Sequence, residues 1–439
     1  MQNVAAVFWS ISLVLTILTV PVLLWQAAIG VFGLLPDQRK IPAASPTGKR
    51  YRFAVVICAR NEQAVIGKLL DSLCTQEYPR ELFDLYVAAD NCTDKTAETA
   101  RRHHACVYER FDREHVGKGF ALRWLLERIQ ADHPAKYDAI VVFDADNLAT
   151  PGFLRRMNDA LCAGADVAKG SRHAANPGDS WVSGSYAIYW RSMMHFFHRA
   201  RANRGLPCFV DGTGFAFKAS LLRGEGWSTH SMVEDCEFSM QQICRGRSIV
   251  PVNDAVYYDE QPDSFTVSLR QRFRWTVGCV QCVKYCLPDA LRALRGDCKA
   301  DGPSRLAALD VILYLLLIPA VGIGLIATAF GALALLFSPP SQLILHTTAL
   351  AMPFLSWAGL TAGALLTLLV DRQPLRPLLK AAFLFPVFVL SMSGMALIAL
   401  VRPKTTWKPI VHSGQTALSD LPRTGAVPPG KEFHRSSKA

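Results

Sequence analysis

Two carboxylates close an apolar stretch near the middle of the chain. Asp144 and Asp146 end the segment IVVFDAD at spacing i, i+2. In an extended chain this spacing places both side chains on the same side, and two adjacent anions need a counter-charge. A divalent cation that also bridges a diphosphate would supply it. The alternative is a capping carboxylate with a solvated neighbour, which is the commoner explanation for an isolated pair.

Two further segments carry groups that suit a nucleotide. Asp90 ends the apolar run in VAADNCTD, and its carboxylate can accept hydrogen bonds from a ribose or a uracil N–H. A turn followed by a helix cap at Asp94 explains that segment equally well. Lys118, in the sequence Gly-Lys-Gly before a helical pattern, can meet phosphate, although the glycine spacing is not that of a Walker motif.

An acidic pair stands in SMVEDCEFSMQ, just before another helical pattern. Glu234 or Asp235 can remove a proton from an attacking hydroxyl, because a poised carboxylate is the plainest general base. The structural alternative is that acidic residues at a helix N-terminus simply interact favourably with the helix dipole.

A third group lies on one predicted helix, in LRQRFRWTVG. Gln271, Arg274 and Trp275 are spaced i, i+3, i+4, so they share a helical face. The amide suits hydroxyl contacts, the guanidinium suits a leaving diphosphate, and the ring suits stacking on a sugar. A basic amphipathic helix resting on a membrane is the alternative, and both interpretations can hold together.

Alternating strand and helix patterns position these groups. We predict strands at 52–59, 82–89, 105–111 and 139–143, and helices at 63–74 and from 94 and 118, with Asn61 as a candidate helix cap. Such alternation predicts an α/β fold with right-handed crossovers and a mostly parallel, Rossmann-like sheet. Ligands then lie outside the carboxyl ends of the strands, which Asp90 and Asp144 follow.

Apolar runs flank this mixed-polarity region. They cover residues 4–35, 307–337, 343–370 and 379–401, and each is long enough to cross a hydrocarbon core of about 30 Å. The first run lacks a basic n-region and a cleavage site, so we expect an uncleaved anchor. The basic loop after it predicts that the central domain lies on the cytoplasmic side.

The charges between the later runs conflict with three simple crossings. The connection at 338–342 is uncharged and is expected outside, whereas 371–380 is basic and is expected inside. The tail from Arg402 is also basic, yet three crossings after a cytoplasmic domain would place it outside. We therefore expect one run to lie in the interface or to double back, and the last run, with Pro386, is the best candidate.

Composition supports a membrane protein rather than a nucleic-acid-binding one. The 439 residues are 51% hydrophobic with a formal net charge of +11. The basic residues cluster beside the apolar runs, where anionic lipid headgroups are the simpler partner. Twelve cysteines show no disulfide framework, and Cys279, Cys282 and Cys286 fit one helical face better than a metal cluster.

Taken in order, these segments resemble the membrane-bound family-two glycosyltransferases, which include cellulose, hyaluronan, chitin and poly-N-acetylglucosamine synthases. The likeness spans about Arg52 to Trp275 and rests on Asp90, Asp144-Ala145-Asp146, Glu234-Asp235 and the QxxRW of Gln271 to Trp275. It implies a GT-A fold, a UDP-sugar donor, Mg²⁺ or Mn²⁺, and inverting transfer that produces a β-linkage.

The resemblance also implies individual roles. Asp90 would contact the uridine, Asp144 and Asp146 would hold the donor and the metal, with Asp146 as metal ligand, and Asp235 beside Glu234 would be the base. Arg274 would hold the diphosphate. The acceptor would be bound by Gln271, by Trp275 and by the glycine-containing loop DGTGFAF, through Gly212, Thr213 and Gly214.

The expected organisation has five segments. These are an anchor at 1–36, a cytosolic catalytic domain at 50–264, an interfacial helix at 265–300, transmembrane or interface helices at 305–401, and a basic tail at 402–439 whose end is expected to be disordered. The localisation expected from this order is the plasma membrane, with the catalytic domain in the cytoplasm.

The function expected from the resemblance is extension of a β-linked polysaccharide or oligosaccharide at the membrane. Well-studied processive synthases have more spans than the four apolar runs here, so a single-transfer glycolipid synthase is the alternative, and a chain this lean leaves room for a homo-oligomer. A non-catalytic membrane protein that binds or transports carbohydrate is a third hypothesis of a different class.

Overall fold

The computed structural model describes residues 2–37, 48–224, 226–297, 304–339, 341, 343–373, 375–402 and 418–421. Most of the basic tail predicted after Arg402 therefore lies outside the described residues, as does its proline-containing end.

One eight-stranded sheet forms the centre of the molecule, in the order β3-β2-β1-β4-β7-β6-β8-β5. Strands β1, β2, β3 and β4 pair in parallel, as do β6 and β8, whereas β7 and β5 pair antiparallel with their neighbours. The mostly parallel α/β sheet is thus confirmed. The strands are β1 Phe53–Ala59, β2 Phe83–Asp90, β3 Cys106–Arg110, β4 Ala139–Asp144, β5 Asn147–Ala149, β6 Val167–Ala174, β7 Phe215–Lys218 and β8 Ile249–Asp259.

Thirteen α-helices are described together with one π-helical segment, Met193–Arg199, and short 3₁₀ turns at Phe32–Leu34, Arg80–Leu82, Ala219–Leu222 and Leu418–Asp420. The α-helices are α1 Gln2–Val31, α2 Ile66–Cys74, α3 Thr96–Arg102, α4 Lys118–Asp132, α5 Phe153–Cys162, α6 Trp181–Ser192, α7 Ala200–Asn203, α8 Glu234–Cys244, α9 Phe265–Arg295, α10 Arg305–Leu315, α11 Leu317–Phe337, α12 Leu343–Val370 and α13 Leu375–Val401.

Alternation along β1 builds two apolar cores, one on each face of the sheet. Ala54 and Val56 face one core, while Phe53, Val55 and Ile57 face the other, and all five are fully buried. Strands that are buried on both faces read as nearly continuous apolar runs, which is why the sequence predicted β1, β2 and β4 to within a residue or two. The edge strand β3 is more exposed and was predicted as part of the repeating strand–helix pattern.

Asn61 does not cap a helix, contrary to the prediction. Helix α2 begins only at Ile66, and Asn61 adopts the left-handed conformation with φ 58°. Its side-chain oxygen instead accepts a hydrogen bond from the backbone N–H of Thr93 at 2.8 Å, which ties the β1 turn to the β2 turn. Asp94 does bind the N–H of Thr96, the first residue of α3, at 3.0 Å.

Among the described residues, four helices are long and apolar enough to cross a membrane, within Asn3–Leu34, Leu317–Phe337, His346–Val370 and Leu375–Val401. The run predicted at 307–337 is two helices rather than one, because the chain breaks at Leu316 between α10 and α11. Helix α10 packs against the sheet domain, because its buried Asp310 pairs with Arg201 of α7 at 2.9 Å.

Helix α13 contacts helices α6, α9 and α11 at successive points along its length. Near its start, a Cβ on Gly184 of α6 would lie 2.7 Å from Ala381, and in its middle Arg272 of α9 donates to the Ser391 hydroxyl at 2.9 Å. Near its end, a Cβ on Gly322 would lie 2.8 Å from Leu400. The last turns of α13 therefore contact the first turns of α11.

Candidate active site

A cavity of about 920 Å³ lies where the carboxyl ends of β1, β2 and β4 face helices α8 and α9. Most of the residues singled out from the sequence line it together: Asp90, Lys118, Asp144, Asp146, Gly212, Glu234, Asp235, Gln271, Arg274 and Trp275. Strand ends of a parallel sheet meet at one edge, and two helices supply the opposite wall. The predicted groups therefore belong to one site.

Thr213 and Gly214 are the exceptions among the predicted acceptor contacts. Thr213 is completely buried, where its hydroxyl accepts a hydrogen bond from the N–H of Asp144 at 2.8 Å. Gly214 has φ +62°, and a Cβ on it would lie 2.1 Å from the Tyr257 ring. Both residues therefore stand behind the cavity wall, where they hold the loop against β4, rather than facing into the cavity.

The two carboxylates of the DxD segment reach the cavity through a turn. Strand β4 ends at Asp144, and Asp146 lies in the turn that leads to β5, so the extended conformation predicted from the i, i+2 spacing is wrong. Asn147 stabilises this turn by accepting from the N–H of Asp144 at 3.2 Å and donating to Asp146 at 3.2 Å. Both carboxylates still line one cavity.

Lys118 connects three parts of the site from the first turn of α4. Its ammonium binds the carboxylate of Asp144, donates to the Gly212 carbonyl at 2.6 Å and lies 3.8 Å from Glu234. Burial lowers the pKa of Lys118, but the charges of Asp144 and Glu234 outweigh burial and raise it overall. The ammonium is therefore held protonated at the centre of the acidic groups.

Asp235 and Glu234 occupy the first turn of α8. Burial raises the pKa of Asp235 to about 7, and the neighbouring charge of Glu234 adds to the effect. Burial also raises the pKa of Glu234, which Lys118 opposes. Opposite them Gly212, at φ +84°, brings its backbone so close that a Cβ would lie 3.6 Å from an Asp235 carboxylate oxygen.

Asp90 is paired with an arginine that the sequence interpretation missed. Arg110, at the end of β3, donates to the Asp90 carboxylate at 2.7 Å, and both side chains are buried. Burial raises the pKa of Asp90 despite the guanidinium of Arg110. The available signal was strand register, because Asp90 and Arg110 are partners in the parallel pairing of β2 with β3.

The QxxRW residues share one face of α9, as their spacing predicted. Gln271 accepts a hydrogen bond from the Tyr186 hydroxyl at 2.9 Å, and Arg274 donates to the Met232 carbonyl at 3.0 Å. The Trp275 ring lies 5.8 Å from the ring of Trp190. Contacts with α6 and with the loop before α8 therefore fix the orientation of all three side chains.

A second buried ion pair that no motif indicated lies beside this wall. Arg172 of β6 donates through Nε to Asp259 of β8 at 2.7 Å, and its guanidinium lies 4.1 Å from the centre of the Trp190 ring. All three residues line the cavity. Only the pairing of β6 with β8 brings them together, so spacing along the sequence carries no signal for them.

The donor groups at the strand ends fit a hard divalent cation. Asp144 and Asp146 present carboxylate oxygens to the same cavity, and Mg²⁺ or Mn²⁺ prefers oxygen ligands. Mg²⁺ commonly uses one or two carboxylates and takes its remaining ligands from substrate phosphates and water. A pair of carboxylates beside a space for a diphosphate matches that pattern.

The sequence is similar to several bacterial proteins. The Beta-monoglucosyldiacylglycerol synthase of Nostoc sp. is 27% identical over 268 residues, which cover 58% of this chain and 54% of the relative. The Probable glycosyltransferase YdaM of Bacillus subtilis is 26% identical over 286 residues, which cover 62% of this chain and 65% of the relative. The chain thus spans less than two thirds of the length of these curated relatives.

The fold is similar to that of a solved archaeal protein, the mannosyltransferase PcManGT from Pyrobaculum calidifontis in complex with GDP-Man and Mn²⁺. The TM-score is 0.58 at 21% sequence identity, and the match covers 82% of this chain and 98% of that chain. This likeness shows that the sheet domain, with its helices, has the GT-A fold.

The family model for glycosyltransferase like family 2 matches residues 50–278, just over half of the chain. The match includes the strand-end carboxylates, the acidic pair of α8 and the QxxRW face of α9, which the structure gathers around one cavity. The chain therefore belongs to the glycosyltransferase-like family 2.

Proposed function

We propose that the chain transfers a sugar from a nucleoside diphosphate sugar, with UDP as the first candidate nucleotide, to an acceptor hydroxyl at a membrane. The observation that carries this proposal is the single cavity shared by Asp90, Asp146, Asp235 and Arg274. The proposed orientation puts this site on the cytoplasmic side, because the basic loop after the first apolar run predicts a cytoplasmic central domain.

The strand-end residues form the donor side of this cavity. Asp90 binds the nucleoside, held in place by Arg110, and Lys118 binds the diphosphate together with Arg274 from α9. Asp144 and Asp146 would hold Mg²⁺ or Mn²⁺, with Asp146 as the main ligand, and the cation would neutralise charge on the leaving diphosphate. The archaeal structural relative, whose complex contains GDP-Man and Mn²⁺, supports this class of donor and cation.

Asp235 is the proposed general base, and the charge of the neighbouring Glu234 raises its pKa. A base works best when its pKa lies near the operating pH, and the pKa of Asp235 is raised to about 7. Asp235 removes the acceptor hydroxyl proton, and the resulting oxygen attacks the anomeric carbon opposite the diphosphate. Arg274 and Lys118 stabilise the departing charge, so the product has inverted configuration without a covalent sugar–enzyme intermediate.

Two acceptor classes remain for the wall formed by Gln271, Trp275 and Gly212. Extension of a β-linked glycan follows from the synthase resemblance. Transfer of one sugar to a lipid is favoured by the similarity to the Beta-monoglucosyldiacylglycerol synthase of Nostoc sp.. In either case the acceptor enters beside Trp275, whose ring stands between α6 and α9.

The test is turnover by detergent-purified protein with a panel of UDP- and GDP-sugars and either Mn²⁺ or Mg²⁺. We expect one donor to support nucleoside diphosphate release that stops when EDTA removes the cation. Product size then separates the acceptor classes, because a ladder indicates glycan extension and a single species in the lipid extract indicates a glycolipid. No release from any donor, with lipid or glycan acceptors present, would contradict the proposal.

A further inference from the structure

The cavity continues past the acidic pair of α8 into a part with different chemistry. Here six uncharged side chains line it, which we call the apolar chamber: Met193, Phe197, Phe209, Cys236, Cys279 and Tyr314. Asp211 also lines the cavity nearby, but its carboxylate is paired with Lys169 at 2.8 Å and with His198 at 3.1 Å. The six side chains come from the π-helical segment, the loop before β7, and helices α8, α9 and α10. The chamber starts directly at the catalytic wall, because Cys236 follows Asp235 in the sequence.

The side chains of the chamber form one connected surface. The ring of Tyr314 lies 4.5 Å from that of Phe209 and 5.3 Å from that of Phe197, and its hydroxyl lies 3.8 Å from the Cys236 sulfur. Burial raises the pKa of Tyr314 well above its usual range, so this hydroxyl stays uncharged at neutral pH. The wall thus carries no formal charge from these six residues.

The chamber stands at the base of the apolar helices. Tyr314 is near the end of α10, and α11 begins at Leu317. On the other side, the 3₁₀ turn that follows α1 meets the π-helical segment so closely that a Cβ on Gly33 would lie 2.3 Å from the His195 carbonyl. Both neighbouring helices, α1 and α11, are candidate membrane spans. The chamber therefore lies beside the bases of two candidate membrane spans.

The chemistry of the wall decides between the two acceptor classes. A sugar chain carries hydroxyls on every residue, and burying a hydroxyl without a hydrogen bond is unfavourable. An acyl chain needs no polar partner and gains from contact with Met, Phe and Cys side chains. A chamber lined by these side chains is therefore matched to hydrocarbon.

From this continuity we infer that the apolar chamber binds an acyl chain of an acylglycerol acceptor, whose free headgroup hydroxyl then lies at Asp235. The inference rests on the proposed function and specifies its acceptor. An acylglycerol is chosen because it joins an acyl chain to a free hydroxyl on one small headgroup, and because the Nostoc relative is by name a Beta-monoglucosyldiacylglycerol synthase.

The direct test is photolabelling with a diacylglycerol that carries a diazirine near the end of one acyl chain. The full-length protein is reconstituted in phosphatidylcholine vesicles with this probe, irradiated and digested for mass spectrometry. We expect labelled peptides that contain Met193, Cys279 or Tyr314, and we expect excess unlabelled diacylglycerol to remove the label. Labelling confined to the exposed surfaces of α11 and α12 would overturn the inference.

A matched pair of variants on α9 separates the chamber from general lipid contact. Cys279→Phe adds volume inside the chamber, so we expect chamber labelling to fall at least about fivefold, as for an overfilled apolar site. Leu291→Phe adds the same ring at an exposed position of the same helix, and labelling should not change. Equal labelling of Cys279→Phe and the parent protein counts against the chamber.

UDP affinity, measured on the same reconstituted samples, distinguishes the inference from the proposed function. If UDP and Mn²⁺ bind and sugar passes to a water-soluble oligosaccharide without chamber labelling, the acyl-chain inference is wrong and the proposed function stands. If no nucleoside diphosphate binds to the parent protein, the proposed function itself fails. Labelling of the chamber together with transfer to diacylglycerol supports both.

Discussion

The acid–base behaviour of the site depends on electrostatic interactions among Asp235, Glu234 and Lys118. Asp235 has its pKa raised by burial and by Glu234, whereas Lys118 acts in the opposite direction. A base must be deprotonated to act, so activity should rise as pH increases through about 7. The two neighbours should then shift this rise in opposite directions.

Glu234→Gln removes the like charge beside Asp235. The pKa of Asp235 falls as a result, and the rise of kcat/KM with pH should move to lower pH than in the parent protein. The measurement is a kcat/KM profile over about pH 5 to 9, a range that brackets the pKa of about 7 of Asp235. An unchanged midpoint, or one at higher pH, would show that Asp235 is not the titrating base.

Lys118→Met removes the cation that lowers the pKa of both acidic residues. We expect the rise in activity to move to higher pH, together with weaker UDP binding because the diphosphate loses a charged partner. Lys95→Met, at an exposed position before α3, serves as the control and should leave both unchanged. A shift to lower pH in Lys118→Met would contradict the assigned electrostatics.

Among individual residues, the sequence predicted the carboxylates that line the cavity and missed a residue that pairs with one of them across strands. Asp90, Asp146 and Asp235 each have a structural alternative when taken alone, and they were singled out because together, in this order, they match one family pattern. Arg110 escaped notice because its partner Asp90 is on another strand, 20 residues away in the sequence. Such cross-strand pairs become visible only once the register of the sheet is known.

Strands with a nearly continuous apolar pattern were predictable from the sequence, whereas a strand that carries buried charges was not. Strands β1 to β4 follow apolar or β-branched runs. Strand β6 carries Lys169 and Arg172 in its interior, where Asp211 and Asp259 neutralise them. Buried charges of this kind hide a strand from a hydropathy reading, because their partners come from elsewhere in the fold.

Helix α10 is held to the sheet side by a buried charge network. Asp310 accepts hydrogen bonds from Arg201 at 2.9 Å and from the Trp25 indole of α1 at 2.8 Å, and Arg201 also donates to Gln26 at 2.7 Å. Three elements therefore depend on one carboxylate.

Asp310→Asn should destabilise the protein by about 3 kcal/mol, because it leaves the buried Arg201 charge uncompensated. Thermal unfolding in detergent, followed by tryptophan fluorescence, measures the loss. Asp289→Asn breaks an exposed pair with Arg292 instead and should cost about 0.5 kcal/mol or less. Equal unfolding temperatures for the two variants would contradict the proposed role of the network.

In the whole molecule, the path of α13 bears on which side of the membrane the C-terminal tail lies. Its first turns pack on Gly184 of α6, and its last turns pack on Gly322 near the start of α11. Both ends therefore lie towards the sheet domain, although the helix is apolar and long enough to span. This path supports the prediction from loop charges that the last run lies in the interface.

The corresponding prediction concerns the C-terminal tail. Green fluorescent protein fused after Ala439 should fluoresce in cells, whereas alkaline phosphatase at the same point should be inactive, because both reporters would stay in the cytoplasm. The same reporters placed between α11 and α12 should give the reverse result. An active phosphatase at the C-terminus would show that α13 crosses the membrane.

The central claim is that the acids gathered around one cavity perform sugar transfer, and Asp235→Asn tests it most directly. With the active donor and Mn²⁺, we expect transfer to fall at least about 100-fold while UDP affinity stays at the parent value. Glu127→Gln, an exposed residue of α4, should retain full transfer. Near-parental turnover by Asp235→Asn would contradict the account.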